Sequence, residues 1–307
     1  MIFSVVIPSY NREQVILRAI NSVLKQTLQD FEIVVVDDGS KDKTKQVVES
    51  IKDPRLRYVW QDNRGATVAR NTGIQNAKGK YVSFLDSDDE WFDTMLEKQY
   101  NKYQSDLTIG CVYSNVQVVN FDGRIIPFSK PLGVCDNSYG EILRQGYMAP
   151  TSVLSARREV LYKVGMFDTG LPASQDDDIC FKLAKNCKVA FIPEVLANMY
   201  VGQSNRISVN SNKVASGWWM LWNKYEEDVV SSCGNQVMAK HYLECLLHFS
   251  IAGDYEMLMK AQEKVENCGG HVSNLLKLMI KTGIAFPFFR NIKGGRLMRK
   301  LLCWLAS

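Results

Sequence analysis

The sequence lacks several features that would point to other classes of protein. Its eight cysteines include no Cys-x-x-Cys pair, and its three histidines lie far from any cysteine cluster, so we expect no zinc site. The cysteine spacings do not resemble a small disulfide framework, which favours reduced thiols and a cytoplasmic location. No stretch reaches the roughly 18 uncharged apolar residues that a membrane-spanning helix needs. The N-terminus has no signal-peptide pattern.

Acidic residues are missing from the last part of the chain. None follows Glu266, whereas seven lysines and arginines lie within residues 271–307. Two interpretations are open: this tail is a solvated helical face, or it docks on an anionic membrane surface, where each basic side chain contributes about 1 kcal/mol. Apolar side chains beside the charges, such as Phe288 and Trp304, favour docking. Docking would make the protein peripheral on the inner face of the cytoplasmic membrane.

Length and composition indicate one large domain with an appendage. The chain has 307 residues, of which 46% are hydrophobic, and these are enough to bury a full core. The net charge of +4 is mild, and we expect no nucleic-acid partner. Three regions differ in pattern, and we therefore place domain boundaries at 1–105, 106–212 and 213–307.

The hydrophobic pattern of the first region is typical of a parallel sheet wrapped by helices. Apolar runs predict strands at 3–8, 31–36, 56–60, 81–86, 109–121, 124–128 and 189–192. Amphipathic stretches predict helices at 14–25, 42–51, 65–77, 91–103, 218–230, 238–252, 255–267 and 272–282. The turn signal at 122–123 predicts antiparallel pairing of the two strands that flank it.

Polar clusters follow the first, second and fourth predicted strands, at residues 9–12, 37–40 and 86–89. Ligands of open α/β sheets bind beyond the carboxyl ends of the strands, so the three clusters are expected to meet over one crevice. Asp86 and Asp88 are spaced to converge on one Mg²⁺ or Mn²⁺, which prefers oxygen ligands. The alternatives are local: Asp37 and Asp38 could only form a turn, and Asp89 could only cap a helix.

Three adjacent acids, Asp176, Asp177 and Asp178, precede another amphipathic helical pattern. Their carboxylates repel one another. If they shared a cleft of low dielectric constant, one of them would have a raised pKa and could serve as a base. On a solvated helix start, they would only be caps.

Four segments carry a family resemblance through their order and spacing. They are Ser4-Val5-Val6-Ile7-Pro8-Ser9-Tyr10-Asn11-Arg12, Val35-Val36-Asp37-Asp38-Gly39-Ser40, Asn63-Arg64-Gly65 with Ala69-Arg70-Asn71-x-Gly73, and Phe84-Leu85-Asp86-Ser87-Asp88-Asp89. Together they resemble the family 2 inverting glycosyltransferases of the GT-A fold, of the bacterial surface-polysaccharide type. The resemblance is dense over residues 3–105, thinner to about residue 208, and absent from the helical tail. It implies an α/β fold with a mainly parallel, Rossmann-like central sheet flanked by helices, and a C-terminal helical extension.

The resemblance also implies an activity. Such an enzyme depends on Mn²⁺ or Mg²⁺ and moves a single sugar from a nucleotide-diphosphate sugar, favouring a UDP-sugar, to a hydroxyl of a glycan or lipid-linked acceptor with inversion. Residues 1–105 would bind the nucleotide sugar, and residues 106–212 would hold the acceptor and the base.

Individual roles follow from the positions that match the family motifs. The implied nucleotide-binding residues are Pro8, Tyr10, Asn11, Asp37, Arg70 and Asp86. Asp88 would hold the metal, and Asp176 would be the general base. For Arg70, a surface ion pair is the alternative.

The chain departs from the family pattern in two places. Gln175 stands where the family has Glu, which leaves Asp177 as an alternative base. After Tyr200 the expected basic residue and His are missing, so Arg206 is the nearest candidate for a diphosphate contact. The spacing from Gln203 to Arg206 matches half of an element of processive synthases, but the absence of membrane spans favours single addition.

Three other functions compete with this interpretation. A haloacid-dehalogenase-like phosphotransferase also uses Asp-x-Asp after a strand, but after the first strand rather than the fourth. A sugar nucleotidyltransferase would need a Gly-rich N-terminal loop, which this sequence lacks. The third alternative is a non-catalytic nucleotide-sugar-binding protein.

Overall fold

The computed structural model describes residues 1–120, 122–126, 139–201, 210–274 and 277. The chain divides into two compact units. The first comprises Met1–Ile142, Tyr147–Thr169 and Gln175–Gly202, and the second Leu143–Gly146, Gly170–Ser174 and Gln203–Ser307. The functional division at residues 105 and 212 stays a prediction.

A mixed sheet forms the centre of the first unit. Its strands within the described residues are β1 (Phe3–Ser9), β2 (Phe31–Asp37), β3 (Leu56–Trp60), β4 (Tyr81–Phe84), β5 (Glu90–Trp91), β6 (Ile109–Val119), β7 (Ile125–Ile126), β8 (Leu154–Arg157) and β9 (Lys188–Tyr200). Their order is β3-β2-β1-β4-β8-β6-β9-β5, with β7 paired to β6. The first four strands are parallel, and β8 is antiparallel to both of its neighbours.

Helices follow most of the strands. They are α1 (Ile16–Leu24), α2 (Thr44–Ser50), α3 (Ala66–Asn76), α4 (Met95–Ser105), α5 (Tyr139–Gln145), α6 (Arg158–Lys163) and α7 (Gln175–Asn186), and a 3₁₀ turn lies at Thr151–Val153. Strands β1 and β2 are buried along their whole length, as expected for parallel strands covered on both faces. The predicted α/β class is confirmed, including the helical region after the sheet.

Strand β9 is longer than predicted and changes the pairing of the middle region. The turn at 122–123 does connect β6 to β7 in antiparallel fashion, but the long partner of β6 is β9, which runs parallel to it. Ile192 lies opposite Ser114 and Val195 opposite Asn115, so Pro193 and Glu194 form a bulge. Proline is tolerated at such a bulge because no ladder hydrogen bond is required there. The apolar pattern breaks at Pro193, which is why the sequence predicted a shorter strand.

The helix predicted at 91–103 begins only at Met95. Trp91 instead pairs with Ala197 as part of β5, and its indole N–H donates to the carbonyl of Ser152 at 2.6 Å. A strand of two residues is too short to show an alternating apolar pattern. The helix predicted from the sequence therefore began too early and included Trp91.

The second unit contains the helices α8 (Ser211–Cys233), α9 (Asn235–Ala252) and α10 (Tyr255–Asn267). Its core is aromatic: the rings of Trp222 and His241 stack with centroids 3.7 Å apart, and burial lowers the pKa of His241 to about 4. Among the described residues no helix is both long enough and apolar enough to cross a membrane. Of the basic tail, only residues 271–274 and 277 are described, so the docking prediction lies almost entirely outside them.

Close packing of α3 on β1 yields a test of the fold. A Cβ added at Gly73 would lie 2.2 Å from Cγ1 of Val6, at a distance where one of the two must move. We expect Gly73→Ala to lower the free energy of unfolding by about 1–3 kcal/mol, the usual cost of overpacking. Urea unfolding measures this. The double variant Gly73→Ala with Val6→Ala should lose less than the sum of the single variants, and strict additivity would contradict the contact.

Candidate active site

Hydrogen bonds join the loops that follow β1 and β2. The backbone N–H of Asn11 donates to Oγ of Ser40 at 2.8 Å, and Oδ1 of Asn11 accepts from the backbone N–H of Lys41 at 2.8 Å. Asn11 has φ of 52°, in the left-handed region that asparagine adopts more readily than most residues. Pro8 is buried within β1, and Tyr10 is 44% exposed. Three predicted nucleotide-binding residues therefore lie on one rim of the sheet.

Asp37 lies at the end of β2, beside this rim, and is only 1% exposed. Its Oδ1 accepts from the backbone N–H of Ser40 at 2.8 Å, and its Oδ2 accepts from the hydroxyl of Tyr58 at 2.6 Å. Burial, followed by this hydrogen bond to Asp37, raises the pKa of Tyr58. The carboxylate is thus held from both sides, by its own loop and by the neighbouring strand β3.

The carboxylate of Asp38 holds the loop that contains the predicted motif at residues 63–65. Its Oδ1 accepts from the side-chain amide of Gln61 at 2.6 Å and from the backbone N–H of Arg64 at 2.9 Å, while Oδ2 accepts from the backbone N–H of Gly65 at 2.7 Å. Gly65 has φ of 94° and immediately precedes α3. Asp38 therefore fixes the loop that starts α3, the helix that carries Arg70.

Arg70 brings together two of the predicted site carboxylates. Its Nη2 donates to Oδ1 of Asp86 at 2.7 Å and to Oγ1 of Thr151 at 3.2 Å, and its Nη1 lies 3.9 Å from Oδ1 of Asp176. The guanidinium is buried, and its Nε has no partner among the described residues. Arg70 is therefore not a surface ion pair but a bridge between the β4 loop and the start of α7.

The three acids at the start of α7 have three different environments. Partial burial raises the pKa of Asp176. The charge of Arg70 opposes this shift, and the charge of Asp86 adds to it. The side chain of Asp176 is 36% exposed to solvent. Asp177 is buried and contributes, after burial itself, to the raised pKa of Tyr147. Asp178 is fully buried in an ion pair with Lys182 at 3.1 Å. Of the three carboxylates, that of Asp176 is the one paired with Arg70.

The loop between β4 and β5 gathers further negative charge. Oδ2 of Asp88 lies 3.6 Å from a guanidinium nitrogen of Arg12. Asp89 is buried, with Oδ2 accepting from Ser152 at 2.6 Å and Oδ1 from the backbone N–H of Tyr200 at 3.0 Å. Burial, and then the charges of Asp86 and Asp88, raise the pKa of Asp89. Asp86 and Asp88 are thus close enough to Asp89 for their charges to act on it.

The carboxylates at this loop fit a divalent cation only if a bound substrate and water supply the remaining metal ligands. Among the described residues, no group of three or more His, Cys, Asp or Glu side chains is arranged to hold a metal ion. Mg²⁺ usually takes one or two carboxylates and completes its shell with water and substrate phosphates. Asp88 and Asp86 supply carboxylates of that kind, each beside an arginine.

The predicted diphosphate contact, Arg206, lies outside the described residues, as does the rest of 202–209. The described segment that contains β9 ends at Val201, and the next one begins at residue 210. The last residue of β9, Tyr200, donates its backbone N–H to Asp89. The guanidinium of Arg18 covers the ring of Tyr200 at 3.6 Å from its centroid and also donates to the carbonyl of Asp88.

The sequence matches a known family over most of the first unit. Residues 4–165, slightly more than half of the chain, match the family described as glycosyl transferase family 2. The chain belongs to glycosyl transferase family 2. The resemblance found in the four sequence motifs is thereby confirmed.

Relatives of this family 2 chain carry glycosyltransferase names. An uncharacterized glycosyltransferase of Rickettsia conorii is 31% identical over 76% of this chain, and the match covers 40% of that protein. A glycosyl transferase of Escherichia coli named for colanic acid biosynthesis, WcaA, is 28% identical over 74% of this chain and 82% of its own length. The chain thus spans less than half of the Rickettsia relative.

Solved structures share the fold. Staphylococcus aureus TarS 1–349 in complex with UDP-GlcNAc has a TM-score of 0.68 at 19% identity and covers 92% of each chain. The mannosyltransferase PcManGT from Pyrobaculum calidifontis, in complex with GDP-Man and Mn²⁺, has a TM-score of 0.60 at 18% identity, covering 99% of this chain and 84% of its own. These likenesses confirm the GT-A fold that the family 2 motifs implied.

Sequence reasoning missed several residues that shape this family 2 site. Tyr58 holds Asp37, Thr151 holds Arg70, and Ser152 bonds to both ends of the acidic loop, accepting from the backbone N–H of Asp86 at 3.1 Å. Tyr58 lies on the predicted strand that follows that of Asp37 along the chain, but its contact depends on the pairing of β2 with β3, which no motif encodes. Thr151 and Ser152 lie in a turn that carried no motif.

Removal of Arg70 should destabilise the protein in a pH-dependent way. We expect Arg70→Met to lower the free energy of unfolding by about 1–3 kcal/mol, between the values for exposed and buried ion pairs. The loss should be larger at about pH 8 than at about pH 5. Without Arg70, the folded-state pKa of Asp176, which is already raised, would rise further. A carboxyl group with a raised folded-state pKa stabilises the fold only at the low pH where it is protonated, and this stabilisation is lost as the pH rises. Thermal unfolding at both pH values measures the effect.

Arg64 provides the matched control for this experiment, because it is exposed and lies just before the same helix. Arg64→Met should change the stability by less than about 0.5 kcal/mol. Equal losses at both pH values for Arg70→Met would contradict the bridging of Asp86 and Asp176.

Proposed function

We propose that this family 2 member is a metal-dependent inverting glycosyltransferase. It transfers a single sugar from a nucleotide-diphosphate sugar of uridine type to a hydroxyl of a glycan or lipid-linked saccharide. The observation that carries the proposal is the contact of one guanidinium, that of Arg70, with both Asp86 and Asp176. Arg70 thereby connects two elements. One is the loop after β4, which would bind the sugar donor, and the other is helix α7, which would supply the base.

Asp176 is the proposed general base. An acceptor hydroxyl is a weak nucleophile until its proton is taken by a group within about 3 Å of it. The raised pKa of Asp176 brings this carboxylate closer to the working range of a base, and its partial exposure leaves it accessible to an acceptor. Asp177 and Asp178 are buried against other partners, which supports Asp176 over the alternative base Asp177.

The proposed reaction is one displacement. The acceptor oxygen forms a bond to the anomeric carbon while the bond from that carbon to the diphosphate oxygen breaks. The hydroxyl proton passes to Asp176, and the nucleoside diphosphate leaves with the electron pair. Because attack and departure occur on opposite faces, the anomeric configuration inverts without a covalent enzyme intermediate.

Asp88, with Asp86 beside it, is the proposed metal ligand. A bound Mn²⁺ or Mg²⁺ would neutralise the charge that develops on the leaving diphosphate. The charges of Asp86 and Asp88, which raise the pKa of Asp89, support a cation at this loop, as does the Mn²⁺ bound to PcManGT, which shares the fold. Arg206 stays a predicted diphosphate contact.

The donor would bind on the rim formed by Pro8, Tyr10, Asn11 and Asp37, with Asp37 facing the base. The UDP-GlcNAc in the TarS structure supports a UDP-sugar, and the colanic acid name of WcaA supports a role in cell-surface polysaccharide synthesis. A location at the inner face of the cytoplasmic membrane, through the basic residues 271–307, belongs to the same proposal.

Two substitutions separate metal binding from base catalysis. UDP at 100-fold excess over its Kd should stabilise the wild type by about 2.7 kcal/mol in a thermal-shift measurement, and only with Mn²⁺ present. Asp88→Asn should lose this shift. Asp176→Asn should keep it but release UDP from UDP-sugars at least about 100-fold more slowly in the presence of glycan acceptors, the lower range for a lost general base.

Asp122→Asn is the control, since Asp122 is exposed in the turn before β7. It should match the wild type in both measurements. A UDP shift that needs neither Mn²⁺ nor Asp88, or full turnover by Asp176→Asn, would reject the proposed function.

A further inference from the structure

Each of the two proposed metal-binding carboxylates lies beside an arginine of the chain. Nη2 of Arg70 donates to Oδ1 of Asp86 at 2.7 Å, and Nη2 of Arg12 lies 3.6 Å from Oδ2 of Asp88. Arg12 follows β1 and Asp88 follows β4, and these two strands pair in the sheet. The guanidinium of Arg12 has no role in the proposed transfer reaction.

The two arginines are held differently. Arg70 is buried, and its guanidinium also contacts Thr151 and Asp176. The pair of Arg12 with Asp88 is longer than an N–H···O hydrogen bond, and 19% of the Arg12 side chain is exposed. The guanidinium of Arg12 can therefore leave its carboxylate at a lower cost than that of Arg70.

Other contacts fix the backbone on both sides of this pair. The backbone N–H of Arg12 donates to Oγ1 of Thr44 at 2.8 Å, and its carbonyl accepts from the backbone N–H of Ile16 at 3.0 Å. The side chain of Arg18 donates to the backbone carbonyl of Asp88. A substitution at Arg12 therefore changes the charge beside Asp88 and keeps the hydrogen bonds that position the two loops.

A divalent cation on Asp88 would meet the guanidinium of Arg12. A cation bound to Oδ2 at about 2.1 Å would lie at most about 6 Å from the Arg12 nitrogen, because the two distances add. If the guanidinium stays, the like charges repel, and if it moves away, the ion pair is lost. Even at the dielectric constant of water, a double and a single charge about 6 Å apart change an affinity roughly tenfold.

We propose that Arg12 is a positioning residue that competes with the divalent cation for Asp88 and makes cation binding depend on the sugar donor. The diphosphate of the donor offers the guanidinium a second anionic partner, which arginine binds well. Cation and donor therefore bind more tightly together than apart. The inference rests on the proposed function, in which Asp88 holds the cation and the donor carries a diphosphate.

The first test measures Mn²⁺ binding to the full chain without nucleotide, from the paramagnetic resonance signal of unbound Mn²⁺ at low ionic strength. Arg12→Met should bind Mn²⁺ about tenfold more tightly than the wild type, because the competing charge is gone. Loss of a merely structural residue would change the affinity in the opposite direction. Arg12→Lys keeps the positive charge and should keep an affinity close to that of the wild type.

The second test repeats the Mn²⁺ titration with saturating UDP. UDP should strengthen Mn²⁺ binding by a larger factor in the wild type than in Arg12→Met, because only the wild type has a guanidinium to pass to the diphosphate. Mn²⁺ must strengthen UDP binding by the same factor, since the coupling of two ligands is reciprocal. In titration calorimetry at saturating Mn²⁺, UDP should therefore bind Arg12→Met more weakly than the wild type.

Arg55→Met is the matched control. Arg55 forms an ion pair with Asp53 at 2.7 Å and lies just before β3, at the opposite end of that strand from the residue that pairs with Asp37. The substitution removes the same charge and another arginine–aspartate pair. It should leave the Mn²⁺ affinity unchanged, both with and without UDP.

A double variant tests whether the gain in affinity depends on Asp88. Adding Asp88→Asn to Arg12→Met should abolish the gained Mn²⁺ binding. The inference is overturned if Arg12→Met alone binds Mn²⁺ no more tightly than the wild type, if the gain persists in the double variant, or if UDP strengthens Mn²⁺ binding equally with and without Arg12. Failure of the wild type and of Arg12→Met to bind Mn²⁺ even with UDP would reject the proposed metal site itself, and the inference with it.

Discussion

The contact of the buried Arg70 guanidinium with two carboxylates is the constraint on which the candidate site depends. Asp86 arrives from the end of β4 and Asp176 from the start of α7, and the two would repel each other without the positive charge between them. The guanidinium is itself oriented by Thr151 and by the helix α3, whose first turn Asp38 fixes. The loop after β4 and the start of α7 are therefore coupled through one side chain.

Strand β8 explains how such distant segments meet. It is inserted antiparallel between β4 and β6, so the turn that precedes it lies at the same sheet edge as the end of β4. Ser152 in that turn accepts from the backbone of Asp86 and donates to Asp89. The acidic loop is thus shaped by a turn from the other half of the sheet, which holds the backbone at Asp86 and the carboxylate of Asp89.

The sequence predicted the parts of this arrangement whose signal is local. Strands β1 to β4 are mainly apolar runs with β-branched and aromatic residues, and the polar clusters after the first, second and fourth of them are visible in the sequence. β8 carries two polar residues among four, and β5 has only two residues, so neither has a pattern of its own. The partners Tyr58 and Thr151 were missed for the same reason. Their contacts depend on strand register and on the placement of distant turns, which no short window of sequence contains.

The run of three acids at 176–178 illustrates how structure resolves what sequence leaves open. From the sequence, three adjacent carboxylates imply repulsion, and both a shared cleft and caps on a solvated helix start were open. On a helix, however, successive side chains point about 100° apart, so three neighbours cannot face one ligand. Asp178 turns to Lys182 and Asp177 lies near Tyr147, which leaves Asp176 facing Arg70. The run therefore contributes one carboxylate to the surroundings of Asp86, and its pKa is raised by burial while the charge of Arg70 opposes that shift.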